Sequence, residues 1–148
     1  DGSPLEGLRI VVGERPSAAF APDANPAWAV ARPGRSGGFA FALARADDYD
    51  VSDAAFLPDG DLLVLERRFK LLDGVRLRLR RVPANAIRPG ARVESEIVLS
   101  ADMGFEIDNM EGLAVHREAG GATVVTLVSD DNFNWFQRNL MIEFRYFG

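Results

Sequence analysis

Three short stretches of this chain place an acidic residue at or just before the start of an apolar run. Glu6 precedes the run that begins at Leu8, Asp53 precedes Ala54 to Leu57, and Glu111 precedes Gly112 to Val115. The three acids are about 47 and 58 residues apart, and four-stranded propeller blades recur at roughly 40–50 residues with insertions in their loops. The spacing therefore predicts one structural unit that is repeated three times.

The acids of these stretches could hold a metal ion. If the units are propeller blades, their first strands meet at a central channel, and Glu6, Asp53 and Glu111 converge there. Calcium takes six to eight oxygen ligands from carboxylates, amides and carbonyls, and Asn109, Asp131 and Asn132 could add oxygens. The predicted calcium ligands are Glu6, Asp53, Glu106, Asp108, Glu111 and Asp130. The alternative is that these acids cap turns and accept backbone N–H bonds.

Other metals and the thiol chemistries fit the composition less well. The chain has no cysteine and one histidine, His116, so disulfides are excluded and zinc lacks its usual ligands. The net charge of −5 gives no general attraction to nucleic acid or to an anionic membrane. Since no apolar run approaches the ~20 residues of a membrane-spanning helix, no membrane span is expected.

Arginines near these acids could hold an anionic substrate. Guanidinium groups bind phosphate through two hydrogen bonds, and Arg67 and Arg68 are predicted to hold the substrate anion. The predicted catalytic residues are Glu111, Asp130, Asp131 and His116, with the histidine as a general base. The alternatives are that Arg67 and Arg68 pair with nearby acids and that His116 has a structural position. The alternating residues Arg76, Arg78 and Arg80 are expected to form a solvated strand face.

A serine nucleophile is not favoured. Gly34 to Gly38 reads Gly-Arg-Ser-Gly-Gly, which matches G-x-S-x-G, but a nucleophile elbow needs a strand before the motif and a helix after it. Pro33 precedes the motif and an apolar, strand-like run follows it. We therefore predict a turn at Ser36.

The elements that must position these residues are strands. Apolar residues alternate with a period of two, and Pro58 to Asp61 and Gly120-Gly121 are hairpin turns. About ten strands are predicted, including Phe39–Arg45, Leu62–Phe69, Val75–Arg80, Arg92–Leu99 and Arg138–Phe147. At 148 residues the chain is one all-β domain. Propeller-type blades, about three of them, are predicted, and the alternative is a β-sandwich or barrel. Because a partial propeller leaves open sheet edges, self-association is expected.

Several of these motifs resemble one known family. Tyr49 to Phe69, Glu106 to Val115, Ser129 to Phe133 and the loop Arg81 to Ala91 are similar to the "esterase-like activity of phytase" family. The resemblance is best over residues 47–145 and corresponds to the C-terminal half of a family member. It implies a β-propeller that hydrolyses phosphate or carboxylic esters. It also implies an exported protein, and therefore a periplasmic or secreted location.

The first residues, Asp1 to Pro4, do not have the pattern of a signal peptide. A small-molecule ester substrate is the implied partner, and a non-catalytic binding module is the alternative function.

Overall fold

The computed structural model describes residues 5–17, 22–34, 36–71, 74–131 and 138–148. Within these ranges the chain is all-β, with eleven strands, one 3₁₀ turn at Ala84–Ala86 and no α-helix. No described helix is long and apolar enough to cross a membrane. The strands are β1 (Leu8–Val12), β2 (Ala24–Ala31), β3 (Phe39–Ala44), β4 (Asp50–Phe56), β5 (Leu62–Lys70), β6 (Gly74–Val82), β7 (Arg92–Val93), β8 (Glu96–Asp102), β9 (Met110–Arg117), β10 (Thr123–Ser129) and β11 (Met141–Tyr146).

The strands form three sheets. The first has the order β1-β2-β3-β7, the middle has the order β4-β5-β6-β8, and the third has the order β9-β10-β11. Each acid-led stretch therefore lies at the first strand of a different sheet, with Glu6 before β1, Asp53 in β4 and Glu111 in β9. The prediction of an all-β fold is confirmed. The described residues do not close a ring or a barrel.

Tight turns at the predicted positions connect the hairpins. At Pro58–Asp61, the Leu57 N–H donates to the Asp61 carbonyl at 2.8 Å, and Gly60 has a φ of 96° that a side chain would disfavour. The hairpin of β9 and β10 turns at Gly120-Gly121. Ser36 lies in the connection between the paired strands β2 and β3, and a strand follows it. The structure thus gives the G-x-S-x-G motif no helix, as the turn prediction requires.

One predicted strand is wrong in extent. The segment Arg92–Leu99 is divided between β7, which runs parallel to β3 in the first sheet, and β8, which pairs with β6 in the middle sheet. Val93 is 1% exposed in the core beside the first sheet, whereas Leu99 packs in the core beside the third. Alternation of apolar residues cannot reveal this change of partner, because both pieces have the same period.

The middle sheet is covered on both faces. Leu62 and Val64 of β5 belong to a core cluster shared with the first sheet, whereas Leu63 and Leu65 belong to a cluster shared with the third. Successive side chains of a strand point to opposite faces, so β5 reads as a continuous apolar run. The three sheets therefore pack face to face in sequence order.

The arginines of β6 do not form the predicted solvated face. Arg78 and Arg80 are each 2% exposed, and they lie beside Glu66, which is 1% exposed. Arg78 Nε donates to Glu66 Oε2 at 2.5 Å and Arg80 Nη1 donates to Oε1 at 2.7 Å. Arg80 also donates to the Ala44 carbonyl at 2.7 Å. The solvated-face prediction fails because the first sheet covers this face, where Glu66 and the carbonyls of Ala44 and Ala46 accept hydrogen bonds from the two guanidinium groups; Arg80 Nε has no partner among the described residues.

Candidate functional site

A polar cavity of about 340 Å³ lies where the first strands of the sheets approach one another. The first and middle sheets are joined there by the Val51 N–H, which donates to the Glu14 carbonyl at 3.1 Å. The middle and third sheets are joined by the Leu113 N–H, which donates to Asp53 Oδ2 at 2.8 Å. The cavity is lined by Ile10, Val12, Glu14, Val51, Ser52, Asp53, Ala54, Arg67 and Glu111.

An ion pair occupies one wall of this cavity. Arg67 Nη1 donates to Glu111 Oε1 at 3.3 Å and also to Asn109 Oδ1. Asn109 Nδ2 in turn donates to the same Glu111 oxygen at 2.5 Å. The side chains of Arg67 and Glu111 are 33% and 36% exposed, so both groups reach solvent while they hold each other in place. The predicted residues Arg67 and Glu111 are therefore brought together.

The arginine of this pair has capacity for a further ligand. A guanidinium has five N–H donors in a fixed fork, and among the described residues the side chain of Arg67 hydrogen bonds only through Nη1. Its Nε and Nη2 groups can therefore donate to an anion that enters the cavity, which is the geometry that binds a carboxylate or phosphate through two bonds.

Asp53 has a structural role in the same cavity. Its Oδ1 accepts from the Ala54 N–H at 2.8 Å and its Oδ2 accepts from the Leu113 N–H at 2.8 Å. The register of β4 against β5 shifts between Val51 and Asp53, which is the mark of a β-bulge. The bulge leaves Ser52 Oγ buried with no hydrogen-bond partner among the described residues. Asp53 thus links β4 to β9 through backbone amides.

Asp108 has the same kind of role at the start of β9. It is 7% exposed, and its two oxygens accept from the backbone N–H groups of Asn109 at 2.7 Å and Arg138 at 2.9 Å. Asp130 and Asp131 follow β10 at the same end of the third sheet. Asp131 exchanges hydrogen bonds with the Asn139 side chain. Asp53 and Asp108 therefore follow the alternative in which the acids accept backbone N–H bonds.

The other predicted site residues lie elsewhere. Glu6 is exposed beside a second cavity that Arg32 and Phe56 also line. Glu106 is exposed at the border of an apolar groove of about 490 Å³. His116 is exposed near the end of β9, five positions from Glu111. At about 3.3 Å per residue and with the side chains on opposite faces, the strand holds His116 away from the cavity.

The predicted calcium ligands do not gather into one group. In the part of the chain that the structure describes, no three His, Asp or Glu side chains lie close enough together to hold a metal ion. Asp53 and Glu111 share a cavity, whereas Glu6, Glu106 and Asp130 do not line it. Asn132, which was expected to add an oxygen, lies outside the described residues.

The two arginines predicted to hold an anion face different neighbours. Arg68 Nη1 donates to Asp48 Oδ1 at 3.1 Å, and its guanidinium carbon lies 5.3 Å from the centre of the Tyr49 ring. Arg67 instead faces Asn109 and Glu111 of the third sheet. Because consecutive strand residues point to opposite faces, the pair does not form one clamp, and only Arg67 borders the cavity.

Two lining residues, Glu14 and Ser52, were not expected at this site. Glu14 follows the apolar run of β1, whereas Glu6, the acid predicted for this unit, precedes it. Ser52 stands immediately before Asp53, and a polar residue at the start of a strand was the available signal. The bulge that turns Ser52 inward has no signature in the sequence.

The family model described as "Phytase-like: Esterase-like activity of phytase" matches residues 10–133. No curated protein matches the chain, and no solved structure does. The family match spans all three sheets up to the end of β10, and it includes every residue that lines the cavity.

Proposed function

The chain belongs to the phytase-like family described by the esterase-like activity of phytase, and on that premise we propose that it hydrolyses a phosphate or other ester bound in the cavity beside Arg67. The proposal is supported by one observation above all. Arg67 and Glu111 place an anion-binding group and a carboxylate side by side, half exposed, on the wall of a polar cavity.

We also infer that the three sheets are blades of a propeller. They pack face to face in sequence order, and β1, β4 and β9, the first strand of each, approach one another around the cavity. First strands line the central channel of a propeller. The cavity then opens on that channel, where a small ester could enter.

The residues of the cavity wall have different roles in the proposed hydrolysis. Nε and Nη2 of Arg67 donate to an anionic oxygen of a phosphate ester, or to the carbonyl oxygen of a carboxylic ester, and stabilise the charge that develops there in the transition state. The Glu111 carboxylate acts as the general base. It accepts a proton from water as the water oxygen attacks the phosphorus or the carbonyl carbon; the P–O or C–O bond to the alcohol then breaks, and the departing alkoxide takes a proton from solvent. Asn109 orients Glu111 by the hydrogen bond that it donates to Oε1.

Calcium stays a prediction from the carboxylate-rich sequence. The described residues do not fit the six-ligand site that was predicted, since the candidate ligands lie in separate places and Asp53 and Asp108 use their oxygens on backbone amides. The mechanism therefore includes no step at a calcium ion. The assay below tests the effect of calcium on hydrolysis directly.

A binding module without catalysis is the second candidate function. The observation that favours it is that Asp53 and Asp108 each accept two backbone N–H bonds, as acids that hold strands together would. In this reading Arg67 captures an anionic ligand in the same cavity and releases it unchanged. The two functions therefore share the arginine and differ in the task of Glu111.

The test is hydrolysis of p-nitrophenyl phosphate and p-nitrophenyl acetate by Glu111→Gln and Arg67→Gln, each assayed with excess chelator and with added calcium. Removal of a general base lowers kcat by about 10²-fold or more, so Glu111→Gln is expected to lose kcat with an unchanged melting temperature. Arg67→Gln is expected to raise KM for the phosphate ester and to lower kcat, because Arg67 both binds the anion and stabilises the transition state. The control variants are Glu96→Gln and Arg117→Gln, which change exposed residues away from the cavity.

Two results would contradict the catalytic proposal. One is wild-type hydrolysis that Glu111→Gln leaves unchanged. The other is a loss of turnover that only follows a loss of thermal stability. If the wild type binds inorganic phosphate through Arg67 but hydrolyses neither ester, the binding-module function is the correct one.

A further inference from the structure

Among the described residues the third sheet has one strand fewer than each of the other two. The first and middle sheets have four strands each, whereas the third has β9, β10 and β11. Within the described ranges β11 pairs with β10 alone. Alternate residues of β11 therefore direct backbone N–H and C=O groups away from the sheet, and such an edge is a template for pairing with another strand.

An apolar groove lies beside this edge. Its volume is about 490 Å³, and it separates Leu99 and Ala101 of β8 from Ile142 and Phe144 of β11. In the first sheet the fourth strand, β7, buries Val93 to 1% exposure in the core between sheets. The groove therefore occupies the place where a fourth strand of the third sheet would put its apolar side chains.

The sequence of β11 is complementary to itself. Ile142, Phe144 and Tyr146 pack towards the core between the middle and third sheets. Met141, Glu143 and Arg145 alternate with them and are exposed. Residues directly opposite each other in an antiparallel pair point to the same face. Apolar residues of the two copies therefore lie opposite apolar residues only if the two-fold axis runs between the two copies of one and the same residue.

The charges of Glu143 and Arg145 decide at which residue the axis lies. An axis at Phe144 puts Glu143 opposite Arg145 of the second copy, and Arg145 opposite the second copy's Glu143. It also puts Ile142 opposite Tyr146 and Phe144 opposite itself on the apolar face. An axis at Glu143 would instead place two like charges directly opposite each other, which is destabilising.

We propose that a second copy of this chain docks on the third sheet, with β11 paired antiparallel to β11 about a two-fold axis at Phe144. The two third sheets then form one continuous six-stranded sheet, and the two apolar grooves become adjacent. The interface is isologous, as in most two-fold dimers. The present partners of the two charged residues, Thr126 for Glu143 and Glu118 for Arg145, are exposed and hold them weakly.

The first test is sedimentation equilibrium of the wild type, Glu143→Arg, the double variant Glu143→Arg/Arg145→Glu, and a control variant. The single change turns two attractive cross-strand pairs into two repulsive ones, and we expect the dimer dissociation constant to rise by at least about tenfold. The double variant restores opposite charges and is expected to return to within about threefold of the wild type. Glu94→Arg, an equal change of charge in the loop before β8, is expected to leave the dimer unchanged.

The second test reads the register. The chain has no cysteine, so Glu143→Cys and Arg145→Cys each introduce a single thiol. A mixture of the two variants is expected to form disulfide-linked dimers upon oxidation well above the amount that either variant forms alone.

Three results would overturn the proposal. They are a wild type that is monomeric at all concentrations, a dimer that Glu143→Arg does not weaken, and cross-linking that is no greater in the mixture. The second result would direct attention to another face of the chain. A monomer that binds an extended apolar peptide at this edge would identify a different protein as the occupant.

Discussion

The two interfaces of the middle sheet are built from the same strands but from different chemistry. Towards the first sheet, β5 and β6 present Glu66, Arg78 and Arg80, all buried. Towards the third sheet they present Leu65 and Leu79, each 0% exposed, in an apolar cluster. Polar contacts at the second interface lie beside the cavity, where Arg67 meets Asn109 and Glu111.

The difference shows how carboxylates serve this fold in two ways. At the first interface Glu66 forms ion pairs with two guanidinium groups, of which Arg78 also pairs with Asp47, and both groups donate to the carbonyls of Ala44 and Ala46. Buried charges are tolerated only when they are paired and hydrogen bonded in this manner. At the second interface Asp53 accepts backbone N–H groups from two strands. One carboxylate fixes side chains, and the other fixes the relative positions of strands.

The largest loss of folding stability is expected from a substitution at the first interface. Glu66→Gln removes the only carboxylate that contacts both buried arginines among the described residues. Loss of one partner in a buried ion pair costs about 3–5 kcal/mol, which is roughly 10 °C of melting temperature for a chain of this length. Urea unfolding measures the change, and Glu96→Gln on the exposed edge strand β8 is the control. A loss below about 1 kcal/mol would show that the network behaves like a surface ion pair.

A smaller loss of folding stability is expected from a substitution at the second interface. Asp53→Asn keeps the size of the side chain but replaces one acceptor oxygen with an N–H donor, so one of the backbone N–H groups of Ala54 and Leu113 loses its partner. An unsatisfied buried donor costs about 1–3 kcal/mol. Thermal unfolding with and without calcium measures this loss. If the wild type but not Asp53→Asn is stabilised by calcium, Asp53 is a metal ligand and its structural assignment is incomplete.

The sequence predicted most strands because alternation and turn residues are local signals. Pro58 to Asp61 determines the hairpin of β4 and β5 through φ preferences alone. The burial of Arg78 and Arg80 could not be predicted in the same way. Alternation divides β6 into two faces, but which face another sheet covers depends on contacts with Ala44 and Ala46, more than thirty residues away.

The candidate site was predicted in part for a similar reason. The repeat spacing makes Glu6, Asp53 and Glu111 equivalent positions, but they stand two residues before β1, at the fourth residue of β4 and at the second residue of β9. Glu6 lies in the turn that precedes β1 and borders a different cavity from Asp53. Glu14, at the other end of β1, reaches the cavity instead. The repeat period identified the strands that meet, and the offsets within them decided which acids share the cavity.

The smallest expected loss of stability concerns Asp48, an exposed carboxylate beside the first interface that pairs with two basic residues. Asp48 accepts hydrogen bonds from Lys70 at 2.6 Å and from Arg68 at 3.1 Å, and these bonds lower its pKa from 3.8 to about 2. Because the pKa of Asp48 is lower in the folded chain than in the unfolded chain, its contribution to stability is complete above about pH 5 and is lost as the pH falls towards 2. The urea midpoint of Asp48→Asn is therefore expected to fall slightly less than that of the wild type between pH 5 and pH 2. Glu94→Gln serves as the exposed control. An identical fall in Asp48→Asn and the wild type would mean that solvent screens the pair fully, and that the network around Glu66 supplies the electrostatic stabilisation on this side of the middle sheet.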